Sequence, residues 1–398
     1  MLNGANVLRM KVLYHHRTAS KDGQAVHIEE MVNALRQQGH QVLVVAPSMG
    51  AEDGKQGAMG GQVGWVARLK SALPGVVYEL LELAYSLVAY QKLLKAARQF
   101  KPDFVYERYN LYLLAGTLLK KKLGIPLLLE VNAPLVDERL QHSGGLSLRR
   151  LARWAEGTAW RSADHVLPVT QVLAQLVLAY GVPAARIAVI ANGINKAHFA
   201  DAPASEQAKA ALGLQGKLVV GFTGFVRPWH GVDRVVRWMA SSNAPANCHL
   251  LIVGDGPVRT ELENLASALN LRERVTITGV IDRSAVPHHV AAFDVALQPA
   301  VTAYASPLKL MEYLVLGKPV LAPREPNLLE VLTDGDNALL FDNGVEGSFE
   351  LALGRLANDA PLRSKLALGS ARSIDRLNLT WDANAQRVVR LAQMALGR

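Results

Sequence analysis

Cysteine is almost absent: among 398 residues there is one, Cys248. A single thiol forms neither an internal disulfide nor a thiolate metal site, so disulfide frameworks are excluded and a reducing compartment is expected. Its setting, Cys248-His249-Leu250-Leu251-Ile252-Val253, reads as core rather than as a nucleophile site. Aromatic residues are also scarce, at 6%, and no RNA-binding aromatic motif is present, which argues against nucleic acid as a partner. A secretory apolar region is missing at the N-terminus, where Met10-Lys11-Val12-Leu13-Tyr14 already reads as a strand, so a cytoplasmic address is expected. No apolar run suits a bilayer span. Residues 73–94 carry Glu79, Glu82 and Lys92 and read as one or two amphipathic helices, while Pro168, Gly181 and Pro183 break residues 166–185 into a strand, a helix and a turn.

What is present suits a globular chain of two or three domains: 50% of residues are hydrophobic and 19% charged. Lys and Arg number 43 against 34 Asp and Glu, a formal net charge of +9. That sign points to anionic partners, namely phosphates, nucleic acid or an acidic membrane face.

Short β-branched and leucine-rich runs alternate with longer helical periods, the pattern of parallel sheets with crossover helices. Strands are expected at 11–15, 42–46, 104–107, 127–132, 166–170 and 187–191, then at 218–223, 250–254, 275–278, 295–298, 320–322 and 339–341. Two doubly wound halves follow, with ligands at the carboxyl ends of their strands. The boundary is placed after residue 200, giving domains 1–200 and 201–380, and the helical pattern over 381–398 is free to pack on either half.

Four segments lie where such sheets bind ligands. The loop from His15 to Gly23 leads into a helix with Ile28, Met31, Val32 and Leu35 on one face, so it is either an anion site or an ordinary strand-to-helix turn. His27, at the head of that helix, either faces a cleft or is structural. The segment Gly224-Phe225-Val226-Arg227-Pro228-Trp229-His230-Gly231 stands between a strong strand and a helix, where Arg227 and His230 can meet phosphate oxygens. Gly254-Asp255-Gly256-Pro257 is a fragment of a dinucleotide fingerprint, but Arg259 occupies the place of the third glycine. Most informative is Tyr304-Ala305-Ser306-Pro307-Leu308-Lys309-Leu310-Met311-Glu312-Tyr313. Here Ser306 suits an N-cap and Pro307 the first helical position, with the free amides of that turn open to an anion. Lys309 and Glu312 share a face for phosphate and ribose hydroxyls, while Leu308, Met311 and Val315 turn to the core. The competing reading is a capped helix with an ion pair of a few tenths of a kcal/mol, roughly 0.2–0.5. Lys120 to Lys122 and Arg149, Arg150 and Arg153 form basic clusters that read as solvated faces or as contacts with lipid or nucleic acid, an anionic membrane surface among them.

Taken in order, Gly39-His40-Gln41-Val42, Val189-Ile190-Ala191-Asn192-Gly193-Ile194, Ile252-Val253-Gly254-Asp255-Gly256-Pro257, and Glu312 followed by Gly317-Lys318-Pro319-Val320 resemble the family 4 glycosyltransferases. The resemblance covers nearly the whole chain. It implies an α/β, GT-B architecture of two Rossmann-like domains facing a cleft, with the nucleotide on the C-terminal one. It also implies retaining transfer from a nucleotide-diphosphate sugar to a glycan or lipid-linked acceptor, without a metal or other cofactor. By motif position Glu312 matches the ribose-holding glutamate, amides near Ser306, Pro307 and Leu308 the diphosphate site, Gly23 the N-terminal glycine loop, and Val280 the place where backbone meets the base.

Three positions depart from the family pattern. Tyr304 stands where the first of two motif glutamates is expected, and His230 replaces a phosphate-binding lysine, leaving Arg227 and Lys309 as fixed charges and His230 only partly protonated at neutral pH. Asn132 stands where a histidine often follows the fourth strand, which places it in the candidate catalytic set with Arg227 and Lys309. Other functions compatible with these departures are a GT-B sugar-nucleotide epimerase and a non-catalytic sugar-nucleotide or glycan-binding subunit.

Overall fold

A computed structural model describes residues 9–18, 23–47, 73–142 and 145–397. The chain divides into two compact units, Met1–Ala191 with Trp381–Arg398, and Asn192–Thr380. The division therefore falls after Ala191 rather than after residue 200. The reason is local: Asn192 donates through its amide to the Ser306 carbonyl at 2.6 Å, and its backbone N–H donates to Ser306 Oγ at 3.2 Å, both within the second unit.

The first unit is a parallel sheet in the order β2-β1-β3-β4-β5, with β1 Lys11–His15, β2 Gln41–Val45, β3 Phe104–Arg108, β4 Leu127–Val131 and β5 His165–Pro168. Its strands β3, β4 and β5 are buried throughout, as a sheet covered on both faces requires. The covering helices are α1 Gly23–Gln37, α2 Gly75–Phe100, α3 Ala115–Leu123, α4 Leu135–His142, α5 Arg149–Ser162, α6 Gln171–Ala179 and, from the end of the chain, α14 Trp381–Ala395.

Residues 187–191 do not form the expected strand. Only Ile187 bridges to Val166, although Ala188 and Ile190 N–H donate to β5 carbonyls. Carbonyls on the segment are taken by side chains of α14 instead: Asn384 Nδ2 donates to Ala191 O at 2.8 Å and Arg387 to Val189 O at 2.7 Å. Residues 75–94 belong to one long helix, α2, one of the two arrangements expected, but in its first half Glu79, Glu82 and Ser86 are buried while Val76, Val77, Leu80, Leu81, Leu87 and Val88 face outward.

The second unit is a six-stranded parallel sheet in the order β11-β10-β9-β6-β7-β8. Its strands are β6 Leu218–Thr223, β7 Cys248–Val253, β8 Val275–Ile277, β9 Val295–Leu297, β10 Val320–Pro323 and β11 Ala338–Phe341. The helices are α7 Ser205–Ala211, α8 Val232–Met239, α9 Arg259–Ala268, α10 Val286–Ala291, α11 Leu308–Val315, α12 Ser348–Asn358 and α13 Ala360–Arg376. Val232, Val235, Val236 and Met239 of α8 are buried on one core together with β6, β7 and Phe341. Cys248 lies within β7, fully buried, and burial pushes its thiol up to about 12, so it is inert packing.

Each sheet reverses direction once. In the first unit the reversal lies between β1 and β3, and in the second between β6 and β9. Such switch points leave a crevice beyond the carboxyl ends of the two strands.

Candidate active site

Around the second unit's switch point, four strand ends carry the predicted groups. The turn after β6 holds Arg227 and His230, the turn after β7 holds Gly254 to Pro257, β8 leads to Val280, and β9 leads to α11. Lys309 Nζ lies 3.7 Å from the centre of the Phe222 ring in β6, so the α11 lysine adjoins the β6 turn. Tyr313 ties the same helix to both strands: its hydroxyl accepts from Thr223 N–H at 2.9 Å and contacts Leu297 O at 3.3 Å. Thr223 Oγ1 and Gln298 Oε1, at the ends of β6 and β9, are buried without a protein partner, which leaves polar valence at this crevice.

Arg227 opens a short 3-10 turn, Pro228–His230, and its guanidinium lies over the rings of Phe225 and Trp229 at 5.0 and 5.1 Å. Its backbone N–H donates to His230 Nδ1 at 3.0 Å. That bond fixes His230 as the tautomer carrying its proton on Nε2. Burial first, then the Lys309 and Arg227 charges, lower its pKa to about 3. His230 is therefore a neutral donor at pH 7, not the partly protonated cation expected from its ordinary pKa.

Lys309 and Glu312 share the predicted face of α11, and each is half-buried. Burial lowers the lysine to about 7 despite the Glu312 charge, and burial raises the glutamate to about 7 despite Lys309 and Arg283. Lys309 is thus not a fixed charge near pH 7. The core face of α11 is Leu310, Met311, Tyr313 and Leu314, so Leu308 and Val315 are only half-buried where the sequence places them inside.

Ser306 is not the N-cap. Pro307 takes that position with φ −70° and ψ 123°, while the Ser306 hydroxyl accepts from Asn192 N–H. The shift by one residue follows from Asn192 claiming both the hydroxyl and the carbonyl of Ser306. Leu308 is consequently the first helical residue, and the amides at the start of α11 remain available for an anion. The approach to α11 is held by Asn327, whose amide donates to Thr302 O at 3.1 Å and Ala305 O at 2.7 Å, on either side of Tyr304. Neither Asn192 nor Asn327 was identified from sequence as part of the site, although Asn192 sits in a motif that the resemblance uses.

The glycines after β7 serve close backbone approach. A Cβ on Gly254 would lie 2.3 Å from Gly224 O, and one on Gly256 2.0 Å from Val226 O. Pro257 falls outside the first helical turn, since α9 begins at Arg259 with Val258 as N-cap. Val280 is 60% exposed and follows Gly279, whose φ is +72°. The acidic pair Asp334 and Asp336 is held by arginines, Arg324 at 2.6 Å and Arg376 at 3.3 Å.

In the first unit the described groups form a separate buried network at its own switch point. His15 Nδ1 and Glu107 Oε2, on β1 and β3, are 2.5 Å apart, and Gly116 N–H donates to the same carboxylate at 3.0 Å. Glu130 on β4 accepts from Tyr106 at 2.6 Å, contacts His27 Nε2 at 2.8 Å, and is also bonded to Arg108 and Asn132. Burial favours its neutral form, but His27 and Arg108 overcome this and hold Glu130 far below the usual carboxylate range. Glu130 is thus a permanent counter-ion that orients Asn132, and no proton carrier. His27, packed edge-on against Trp381 at 4.7 Å, follows the structural alternative. His16 is lowered to about 4, by burial first and then by the His15 and Arg108 charges, and is neutral. Gly23 is the exposed first residue of α1; the loop residues 19–22 before it lie outside the described residues. The sequence signal for this network was a charged pair, Glu107-Arg108, and a single Glu130 inside otherwise apolar parallel strands, where uncompensated charge is costly.

Two parallel α/β units, each with polar groups gathered at its switch point, define the architecture of the GT-B proteins. Residues 22–193 match the glycosyl transferase 4-like domain, and residues 204–370 match the glycosyl transferases group 1. An alpha-D-kanosaminyltransferase of Streptomyces kanamyceticus is 27% identical over 64% of this chain and 67% of its own. A GDP-mannose-dependent alpha-mannosyltransferase of Mycobacterium tuberculosis is 24% identical over 90% of this chain and 89% of its own. Among solved structures, HepE of Anabaena in complex with UDP and glucose aligns with a TM-score of 0.72 at 18% identity, covering 97% of this chain and 100% of that one. The chain belongs to the family 4 glycosyltransferases, and it is a glycosyltransferase with the GT-B fold.

Proposed function

We propose that the protein is a retaining glycosyltransferase that takes its sugar from a nucleotide-diphosphate donor and passes it to a glycan or lipid-linked acceptor in cell-surface polysaccharide or glycolipid synthesis. The observation that carries this reading is the convergence of Arg227, His230 and Lys309 at the open start of α11, with Glu312 one turn deeper. The donor diphosphate is assigned to the α11 amides, Arg227 and Lys309, the ribose hydroxyls to Glu312, and the base to the backbone around Val280. Charge developing on the leaving diphosphate is met by Arg227 and Lys309, with His230 donating from Nε2. These groups supply the electrophilic role without a metal. Relatives named as GDP-mannose-dependent and a structural neighbour bound to UDP and glucose support a nucleotide sugar while leaving the base open.

Thermal-shift screening against UDP, GDP, ADP and dTDP sugars identifies the donor, because ligand at about 100 times its dissociation constant stabilises by about 2.7 kcal/mol. Transfer measured with a chelator present is expected to persist, with the product's anomeric configuration matching the donor's by NMR. Arg227→Ala and Lys309→Ala are each expected to lower kcat by about 10²–10³. Full rates in both variants would remove the assignment. Conversion of a donor incubated alone would favour the epimerase reading.

A further inference from the structure

We infer that α2 of the first unit is an interfacial helix that lies flat on an anionic phospholipid bilayer. The observation is that the first half of this helix, up to Val88, is inside out, whereas Ala89, Leu93, Leu94 and Ala97 beyond it are buried. Glu79, Glu82 and Ser86 are buried, whereas Val76, Val77, Leu80, Leu81, Leu87 and Val88 are 41–62% exposed. Their spacing of one, three, four and six residues places them along one side of a 3.6-residue period.

The orientation is fixed by specific bonds. Glu79 accepts from Tyr112 Oη at 2.6 Å and from the backbone N–H groups of Ser147 and Leu148 at 2.6 and 3.0 Å. Glu82 holds Arg139 through two bonds of 2.6 and 2.8 Å, and the Ser86 hydroxyl bonds Tyr112 O and Leu114 N. Rotating the helix to bury Leu80, Leu81 and Leu87 would expose or orphan this set, so the fold keeps that aliphatic side out. A contiguous exposed apolar face of this kind marks an interaction surface.

Charge selects the occupant. Both acidic residues of α2 point inward, so its exposed charge is wholly cationic: Lys92, Lys95 and Arg98. Glu79 of α2 also accepts from the Leu148 N–H at the start of α5, and α5 exposes Arg149, Arg150, Arg153 and a 52% exposed Trp154. An aliphatic face rimmed by cations, with a tryptophan nearby, fits the headgroup region of an anionic leaflet. A second copy of this chain would bring like charges together. The aliphatic stretch from Val76 to Val88 is about 18 Å long at 1.5 Å per residue, short of the roughly 30 Å hydrocarbon thickness. Among the described residues no helix is long and apolar enough to cross a membrane, which agrees with a helix lying in the interface. Of the basic clusters singled out in the sequence, the arginines of α5 belong to this surface. Lys120 does not, because it is tied to Asp164 at 2.8 Å and to Ser162 O.

Sedimentation of the full chain with vesicles, in the absence of any donor, tests this surface separately from the transfer chemistry. Phosphatidylcholine vesicles carrying about 30% phosphatidylglycerol are expected to retain the protein, with retention weakening as salt rises, and pure phosphatidylcholine to retain little. Leu80→Gln combined with Leu87→Gln should lower the partition coefficient about ten-fold or more. Lys95→Glu and Arg98→Glu should each lower it about five-fold or more. All four positions are exposed, so melting followed by circular dichroism should match the parent chain. Absence of vesicle binding by the parent chain, equal binding by the variants, or indifference to anionic lipid would overturn the inference. So would a dimer in sedimentation equilibrium that the leucine variants dissociate.

Discussion

Lys309 and Glu312 are brought to the same titration range by the same cause, since burial lowers the lysine to about 7 and raises the glutamate to about 7. Near neutrality the pair exchanges between a charged and a neutral form holding the same number of protons. An anionic diphosphate favours charged Lys309, and a ribose hydroxyl donating to Glu312 favours its carboxylate, so both ligand groups select the charged form. As pH falls through 7, Glu312 gains a proton and loses acceptor strength; as pH rises through 7, Lys309 loses its charge. Affinity for the nucleoside diphosphate is therefore expected to peak near pH 7, measured by calorimetry from pH 5.5 to 8.5, roughly the window these shifts define. Lys309→Ala should flatten the alkaline limb and Glu312→Gln the acid limb. An unchanged profile in both variants would show that other groups control binding. The sequence could indicate that the two residues share a helix face. It could not reveal their pKa values, because these depend on burial set by Phe222, Tyr313 and the β6 turn.

At the scale of elements, the site is a set of turns pressed together. Gly224 N–H donates to Val253 O and Val226 N–H to Asp255 O, so the β6 and β7 turns pair as an extension of their strands. Gly224 and Gly254 have φ of +112° and +140°, and the approach to Gly256 leaves no room for a Cβ. Gly256→Ala should force the turns apart and displace Arg227. A cost of about 1–3 kcal/mol is expected, seen as a melting temperature lower by several degrees together with lost transfer. Parent-like melting and transfer would show that the turns yield without consequence. The strand and helix alternation, and hence both sheets, was legible because parallel strands are continuous apolar runs between helical periods. The N-cap of α11 was not. Ser306-Pro307 is an ordinary start signal, and its displacement depends on Asn192, 114 residues earlier in the chain. The inverted α2 was hidden for a related reason: its amphipathic pattern was visible, but the partners that draw Glu79 and Glu82 inward lie at Tyr112, Arg139 and Ser147.

Over the whole molecule, chain order and spatial order part at the C-terminus. After the second unit the chain returns to the first, where α14 buries Trp381, Ala385, Val388 and Ala392. Gln38, just beyond α1, donates to Asp382 at 2.6 Å, and Trp381 packs on His27, which in turn contacts Glu130. The helix thus supports the network that orients Asn132 as well as the edge segment 187–191. Helical spacing alone left its docking partner open, because an amphipathic stripe records that a face is buried without recording against what. Trp381→Ala removes a side chain that is 3% exposed and should cost about 3–5 kcal/mol. Amide exchange is the discriminating measurement. Protection is expected to fall in β1, β4 and α1 and to hold in β6, β7 and β9, so that donor-induced stabilisation survives while transfer declines. Equal loss of protection in both sheets would mean that α14 supports the molecule as a whole rather than the first unit.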